Sequence, residues 1–197
     1  MNSNIPLIEK PGQINSFAEK LRENISRTGS FLCVGIDPPL GKYGDFLEKE
    51  RQRLGSKSFL ERFAIHMVEA AAGRVPAVKL QSAFFEAHGS EGFAALETAM
   101  KKAREHGLIT ILDAKRGDIS STMAAYGHMA FEAMDADALT ITPYMGLDVL
   151  SPLWPWLKSG RGVYVVWVSS NPSGALVQDS ISDPLLDALK DLSLIHI

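Results

Sequence analysis

The sequence has 197 residues, of which 46% are hydrophobic and 22% are charged, and its formal net charge at pH 7 is −3. A chain of this length and apolar content can bury a core, and we expect a single domain over residues 1–197. The weak negative charge argues against binding to nucleic acid or to an anionic membrane surface. No apolar run is long enough to cross a bilayer and no secretory signal is visible, so a cytoplasmic location is expected.

Five short apolar runs rich in β-branched residues predict strands at 31–36, 75–80, 108–114, 138–142 and 162–168. They lack polar alternation, which is typical of strands that are covered on both faces. The single cysteine, Cys33, lies in the first run and is predicted to be a small buried side chain, because no histidine lies near it in sequence. One cysteine cannot form an internal disulfide, which suits a reducing compartment.

Helical spacing fills the segments between these runs, at 58–73, 92–107 and 120–134. In the first of them Phe59, Phe63, Met67 and Ala70 fall on one face, which is predicted to pack on the core. The longest interruption, 38–58, predicts a loop followed by a short charged helix. Strand and helix alternation of this kind indicates βαβ units and a parallel sheet, either an open doubly wound sheet or a (β/α)8 barrel. Neither glycine-rich nucleotide-binding motif is present, which weakens the nucleotide-binding versions of the open sheet.

Polar residues follow each apolar run at its C-terminal end. The set comprises Asp37, Lys79, Asp113, Lys115, Thr142, Ser169 and Ser170. In parallel α/β proteins the C-terminal ends of the strands form the active face, because the loops from strand to helix converge there. The sequence therefore predicts a functional site at this end of the sheet.

The densest part of this set is the stretch "LDAKRGD" at 112–118. Asp113 and Lys115 are two residues apart, so a strand would point both side chains to the same side, and Asp118 follows after Gly117. Carboxylates beside a lysine favour its charged form. Such an ammonium can donate a proton to carbon and stabilise negative charge in a transition state. Arg116 is expected to be a solvated loop end.

The stretch "LDAKRGDISST" resembles the D-x-K-x-x-D signature of the orotidine 5′-phosphate decarboxylase family, in its bacterial longer-chain subgroup. The segments "VGIDPP", "VKLQSAFFEAHG", "TITPYMGLDVLSPL" and "SSNPSGA" are similar to that family in the same order. The resemblance implies a (β/α)8 TIM barrel, of which about five β/α units are present here. It also implies a carboxy-lyase without a cofactor or metal, which converts orotidine 5′-monophosphate to UMP in the last step of de novo pyrimidine synthesis.

The resemblance assigns catalytic roles to four residues. Lys79, Asp113 and Lys115 would surround the reacting carbon, and Lys115 would deliver the proton to C6 after CO2 leaves. Asp118 would belong to the same network but act in the active site of the partner subunit of a homodimer.

The resemblance also assigns substrate contacts. Ile119 and Thr122 would lie beside Asp118 in the partner's site. Asp37 would bind the ribose hydroxyls, and Ser170, rather than Ser169, would contact the pyrimidine. We expect neither nucleic acid nor a membrane to be a binding partner.

Two alternatives stay open. One is a Mg²⁺-dependent keto-sugar-phosphate decarboxylase or aldolase of the same superfamily, although Lys79 places a cation where a metal ligand would be needed. The other is an inactive fragment, because a barrel needs about 250 residues and the family takes its main phosphate-binding arginine from later strands. The apolar end "LKDLSLIHI" also departs from the family. We therefore expect a truncated chain that is inactive by itself.

Overall fold

The computed structural model describes residues 16–38 and 45–179. Within them five strands form one parallel sheet in the order β1-β2-β3-β4-β5. The strands are β1 (Cys33–Ile36), β2 (Ala77–Gln81), β3 (Ile109–Arg116), β4 (Ala138–Ile141) and β5 (Gly162–Val165). Each lies inside or within two residues of a predicted apolar run, so the five predicted strands are confirmed.

Helices precede β1 and connect every pair of neighbouring strands. They are α1 (Phe17–Thr28), α2 (Asp45–Leu54), α3 (Ser56–Ala71), α4 (Ser82–Glu86), α5 (Gly89–Glu105), α6 (Ser120–His128), α7 (Trp154–Lys158) and α8 (Ala175–Gln178). A π-helical turn, Met129–Ala133, extends α6, and a 3-10 helix, Leu147–Leu153, precedes α7. The charged helix predicted before 58 is α2, whereas residues 39–44 of that interruption and the "LKDLSLIHI" end lie outside the described residues.

The strand order decides between the two architectures that the sequence left open. A doubly wound sheet reverses its strand order at a switch point, whereas a barrel adds each new strand beside the previous one. Here all four parallel pairings join strands that are consecutive in sequence. The chain therefore forms five consecutive β/α units of a (β/α)8 barrel, as predicted.

The two faces of the sheet bury different apolar clusters. Side chains of one face, such as Leu80 and Leu112, pack with α3 and α5 in the larger cluster. Side chains of the other face, including Ala77 and Ile111, form a smaller cluster around Phe17 at the start of α1. Phe17 meets Tyr164 of β5 edge to face, with ring centroids 5.8 Å apart. α1 therefore covers the N-terminal end of the inner face and leaves the C-terminal end for polar groups.

Two sequence predictions about burial are wrong. Cys33 is exposed, because β1 pairs only with β2 in the described part of the chain and little covers its first residues. The stripe predicted on α3 is wrong only for Ala70, which is exposed: Phe59 is buried, and Phe63 and Met67 pack against the larger cluster. Leu60 and Ala64 are buried as well, so the buried face of the helix is wider than the predicted stripe.

Among the described residues, none of the helices has both the length and the apolar character that a membrane span requires.

Truncating Phe17 should destabilise the fold, because its ring fills the inner cluster at 5% exposure. We expect Phe17→Ala to lower the free energy of unfolding by about 3 kcal/mol, the range for a buried phenylalanine. Phe31→Ala is the matched control, since Phe31 is 86% exposed and should change stability by less than about 0.5 kcal/mol. Urea unfolding followed by circular dichroism measures both, and equal effects would contradict the assignment of Phe17 to the core.

Candidate active site

A polar site lies at the C-terminal end of the inner face, continuous with the apolar cluster around Phe17. Along β2 the inner positions are Ala77, Lys79 and Gln81, and along β3 they run from Ile111 to Asp113. The register pairs Lys79 with Ile111 and Gln81 with Asp113. Because side chains alternate along a strand, the same face changes from apolar to charged within one or two inner positions. The strands themselves therefore carry the charged groups.

Asp113 is the centre of this site, and its side chain is only 5% exposed. Its Oδ2 accepts hydrogen bonds from Lys79 Nζ at 2.6 Å and from Gln81 Nε2 at 3.0 Å. Its Oδ1 accepts from Lys115 Nζ at 2.7 Å and from Thr140 Oγ1 at 2.9 Å. Each carboxylate oxygen thus has two donors, one of them an ammonium group, which is the arrangement that a buried charge requires.

Two opposing effects act on the pKa of Asp113. Burial alone would raise this pKa, because it penalises the charged form. The hydrogen bonds from Lys115, Lys79 and Thr140 outweigh burial and hold the pKa below its ordinary value. Asp113 is therefore a carboxylate at neutral pH, and the site carries two cations around one anion.

The ammonium groups are more accessible than the carboxylate that holds them. The Lys79 side chain is 32% exposed and that of Lys115 is 52% exposed. Both lysine side chains are therefore accessible at the C-terminal end of the sheet, whereas Asp113 is buried. Beside them, a cavity of about 400 Å³ is lined by Gln81, Glu86, Lys115 and Arg116, among others.

Arg116 is not the solvated loop end that the sequence predicted. Its guanidinium forms an ion pair with Glu86 at the end of α4 and lies over the ring of Tyr126 in α6, with 5.1 Å from Cζ to the ring centroid. Its backbone carbonyl accepts a hydrogen bond from Thr142 N at 2.8 Å. The prediction failed because Glu86 lies 30 residues earlier in the sequence, a separation at which spacing gives no information.

The loop that follows β3 runs close to the end of β4. A Cβ atom on Gly117 would lie 2.5 Å from both the methyl group and the carbonyl oxygen of Thr142, so only glycine fits without a shift. Beyond it, Asp118 accepts a hydrogen bond from Ile119 N at 2.7 Å. No ion pair to Asp118 is recorded within the described ranges. Ile119, which precedes α6, and Thr122 in its first turn are both exposed.

The remaining predicted residues also lie beyond strand ends. Asp37 is exposed one residue after β1, and its side chain folds toward Gly35, whose partner in the register is Lys79. Ser170 is exposed after β5. Ser169 is engaged elsewhere: its backbone N–H donates to Gln178 Oε1 at 3.0 Å, and its hydroxyl accepts from Gln178 Nε2 at 2.9 Å. Of the two serines, the side chain of Ser170 is the more available.

Sequence reasoning missed Gln81 and Thr140, which supply two of the four donors to Asp113. Both lie on the inner face by alternation, Gln81 two residues after Lys79 and Thr140 two residues after the buried Ala138. The period-two rule, applied to every polar residue at a strand end, would have found them.

The chain that carries this lysine–aspartate–lysine set is similar to known proteins in sequence and in fold. The model of the orotidine 5′-phosphate decarboxylase / HUMPS family matches residues 30–194. The chain is 43% identical over 170 residues to an orotidine 5′-phosphate decarboxylase of Streptomyces coelicolor and 37% identical over 175 residues to one of Rhodopirellula baltica. This chain belongs to the orotidine 5′-phosphate decarboxylase / HUMPS family.

Solved structures agree with the sequence comparisons. One, from Streptomyces avermitilis and described as a candidate orotidine 5′-phosphate decarboxylase, superposes with a TM-score of 0.78 at 36% identity over 93% of this chain and 66% of that one. The OMP decarboxylase of Leishmania donovani superposes with a TM-score of 0.62 at 35% identity over 83% of this chain and 58% of that one. The match to the Streptomyces coelicolor relative takes in 84% of this chain but only 59% of the relative.

Removing the Arg116 side chain should destabilise the end of β3, because Arg116 and Glu86 are only 23% and 29% exposed. Arg116→Met keeps the aliphatic contact with Tyr126 but leaves Glu86 without its cation, which should cost about 2 kcal/mol of unfolding free energy. Arg53→Met is the matched control, because the acidic partners Glu50 and Glu86 are equally exposed but the Arg53 side chain is 60% exposed, and ion pairs of exposed side chains contribute little. Urea unfolding distinguishes the two, and an equally small effect at both sites would restore the view of Arg116 as a solvated side chain.

Proposed function

We propose that the protein to which this chain belongs is a carboxy-lyase that converts orotidine 5′-monophosphate to UMP in the cytoplasm. The observation that carries the proposal is the position of Asp113 between two lysines, with Nζ atoms at 2.6 and 2.7 Å. Family membership supports the same reaction. Two fixed cations suit a reaction in which CO2 leaves and its bonding electron pair remains on carbon.

The proposed chemistry is the one that the family resemblance implies, and the exposure of the charged groups supports the role of Lys115 in it. The bond between C6 and the carboxyl carbon breaks, CO2 departs, and negative charge develops at C6. Lys115, the most exposed member of the set, transfers a proton from Nζ to C6, which forms the new C–H bond. Lys79 and Asp113 stay in place, so the electrostatic environment of C6 changes little as negative charge develops there. Lys115 regains its proton from solvent.

Substrate binding involves residues around this centre. As the resemblance implies, we assign Asp37 to the ribose hydroxyls and Ser170 to the pyrimidine, and the exposure of both residues beyond the ends of β1 and β5 leaves them accessible for these contacts. The phosphate contact that the resemblance implies would come from strands beyond β5. The binding energy from the phosphate group, which is remote from the reacting carbon, would offset the free-energy cost of positioning that carbon.

We also propose a homodimer with shared active sites. Asp118, Ile119 and Thr122 lie together at the start of α6, and Ile119 is 56% exposed although it is a large apolar residue. Within the described ranges, the hydrogen bond that the Asp118 side chain forms is the one from Ile119 N. The adjacent carboxylate of Asp118 and apolar side chain of Ile119 could contact substrate in the active site of a neighbouring subunit. Asp118 would then join the partner's Lys79–Asp113–Lys115 set.

Metal removal tests the reaction class. The Lys79 ammonium lies 2.6 Å from Asp113, and its positive charge opposes a divalent cation at that carboxylate. We expect the completed chain, by which we mean this sequence extended to the length of its curated relatives, to form UMP at an unchanged rate after exhaustive chelation. A loss that Mg²⁺ restores would favour the metal-dependent alternative. An inert completed chain that still binds UMP would favour an inactive relative.

Subunit mixing tests the shared site. In the completed chain, Lys115→Ala and Asp118→Ala should each lower kcat/KM by far more than about tenfold, which corresponds to ~1.4 kcal/mol. When the two variants exchange subunits, a mixed dimer has one site with both substitutions and one site with neither. At equal mixing about half of the dimers are mixed, and each of these has one intact site. Activity should therefore return toward one quarter of the wild-type value. Mass spectrometry verifies the exchange. Activity that stays absent after exchange would place Asp118 in its own chain's site.

A further inference from the structure

The end of β3 is irregular at the point where it carries the charged residues. Leu112 pairs with Leu139 and Arg116 with Ile141, so four steps along β3 correspond to two steps along β4. The additional residues form a bulge that contains Asp113 and Lys115. Lys115 adopts a φ of +46°, in the left-handed region that non-glycine residues rarely occupy. Such a conformation persists only when the surroundings determine it.

Thr140 of β4 lies against this bulge and is 3% exposed. Its hydroxyl donates to Asp113 Oδ1 at 2.9 Å and accepts from the backbone N–H of Lys115 at 2.9 Å. A hydroxyl has one donor and two acceptor sites, so one oxygen satisfies both groups. It takes the place of a backbone carbonyl that a regular ladder would offer to Lys115 N.

Through these two hydrogen bonds, Thr140 links the Asp113 carboxylate to the backbone of Lys115, whose ammonium group pairs with that carboxylate. The Lys115 side chain is 52% exposed, and within the described ranges its ammonium group is held by Asp113. Its direction therefore depends on where the Lys115 backbone and the Asp113 carboxylate are fixed, and Thr140 contacts both.

We propose that Thr140 is a positioning residue. Its hydroxyl binds both the Lys115 backbone and the Asp113 carboxylate and so determines the position of the Lys115 ammonium group. The kinetic consequence rests on the proposed decarboxylation, whereas the geometric consequence does not. Thr140 itself does not meet the open end of the site, because it is buried beneath Asp113 and Lys115.

The test compares Thr140→Val with Thr140→Ser in the completed chain. Valine keeps the shape but lacks the hydroxyl, and serine keeps the hydroxyl but lacks the methyl group. Hydrogen exchange at the Lys115 amide should become faster by about tenfold or more in Thr140→Val, because the N–H loses its acceptor. In Thr140→Ser the amide should exchange at nearly the wild-type rate.

A second readout is the titration of the Asp113 carboxyl, followed by carbon NMR in the ligand-free protein. The groups that face it are the Lys79 ammonium and Gln81 amide on β2 and the Lys115 ammonium on β3, and neither variant replaces any of these side chains. Loss of a donor to the charged form raises a carboxyl pKa. The pKa of Asp113 should therefore rise in Thr140→Val and stay near its wild-type value in Thr140→Ser.

The kinetic expectation is a fall in kcat of about tenfold or more in Thr140→Val with a smaller change in KM, and recovery of kcat in Thr140→Ser. Equal amide exchange and equal Asp113 titration in the two variants would overturn the proposal.

If exchange and titration differ as expected but the wild-type completed chain forms no UMP, the proposed function fails and the positioning role stands. If Thr140→Val does not fold, Thr140→Cys, which has a similar volume and a weak hydrogen-bonding group, takes its place with the same expected outcomes.

Discussion

The burial of the Asp113 carboxylate is the constraint on which the rest of the site depends. An ionised carboxyl group at 5% exposure is strongly unfavourable unless charge and hydrogen bonds replace the water that it loses. Four donors do so, from β2, β3 and β4. Three neighbouring strands must therefore lie in one fixed register for this single group to be tolerated, and the same register places two ammonium groups at the open end of the sheet.

The (β/α)8 arrangement meets this requirement through strand alternation. Inner positions near the N-terminal ends of the strands are apolar and pack around Phe17, whereas those near the C-terminal ends carry Lys79, Gln81 and Asp113. Outer positions such as Val78, Leu80 and Leu112 are apolar and pack on the helices, and the polar outer residue Thr110 is hydrogen-bonded to Asp137. The helices hold the strands in register from outside, and the apolar cluster around Phe17 gives the charged layer a rigid base. The polar site is thus supported on two sides by packing that is largely apolar.

The sequence was sufficient for the strands, the order of elements and the meeting of Lys79, Asp113 and Lys115, because these depend on local pattern and on the convergence of strand ends. It did not reveal the bulge that brings Asp113 and Lys115 together, since simple alternation already placed them on one side. It failed for Arg116, whose partner Glu86 is distant in sequence, and for Cys33, whose exposure depends on which strands pair beside β1. Tertiary neighbours, rather than local propensity, decide these features.

Charge balance links the site within the chain to the proposed dimer. The set proposed to surround the reacting carbon has two ammonium groups and one carboxylate in one chain, whereas Asp37 is assigned to the ribose, so this set carries an excess of positive charge. That excess favours an anionic substrate in the ground state as well as in the transition state, and uniform binding of this kind does not accelerate chemistry. A second carboxylate, supplied by Asp118 of a neighbouring subunit, would cancel the excess around the substrate's carboxyl group. It would leave the Lys115 ammonium directed at the carbon on which charge develops after CO2 departs. A shared site would thus turn a general anion-binding surface into one that favours the transition state.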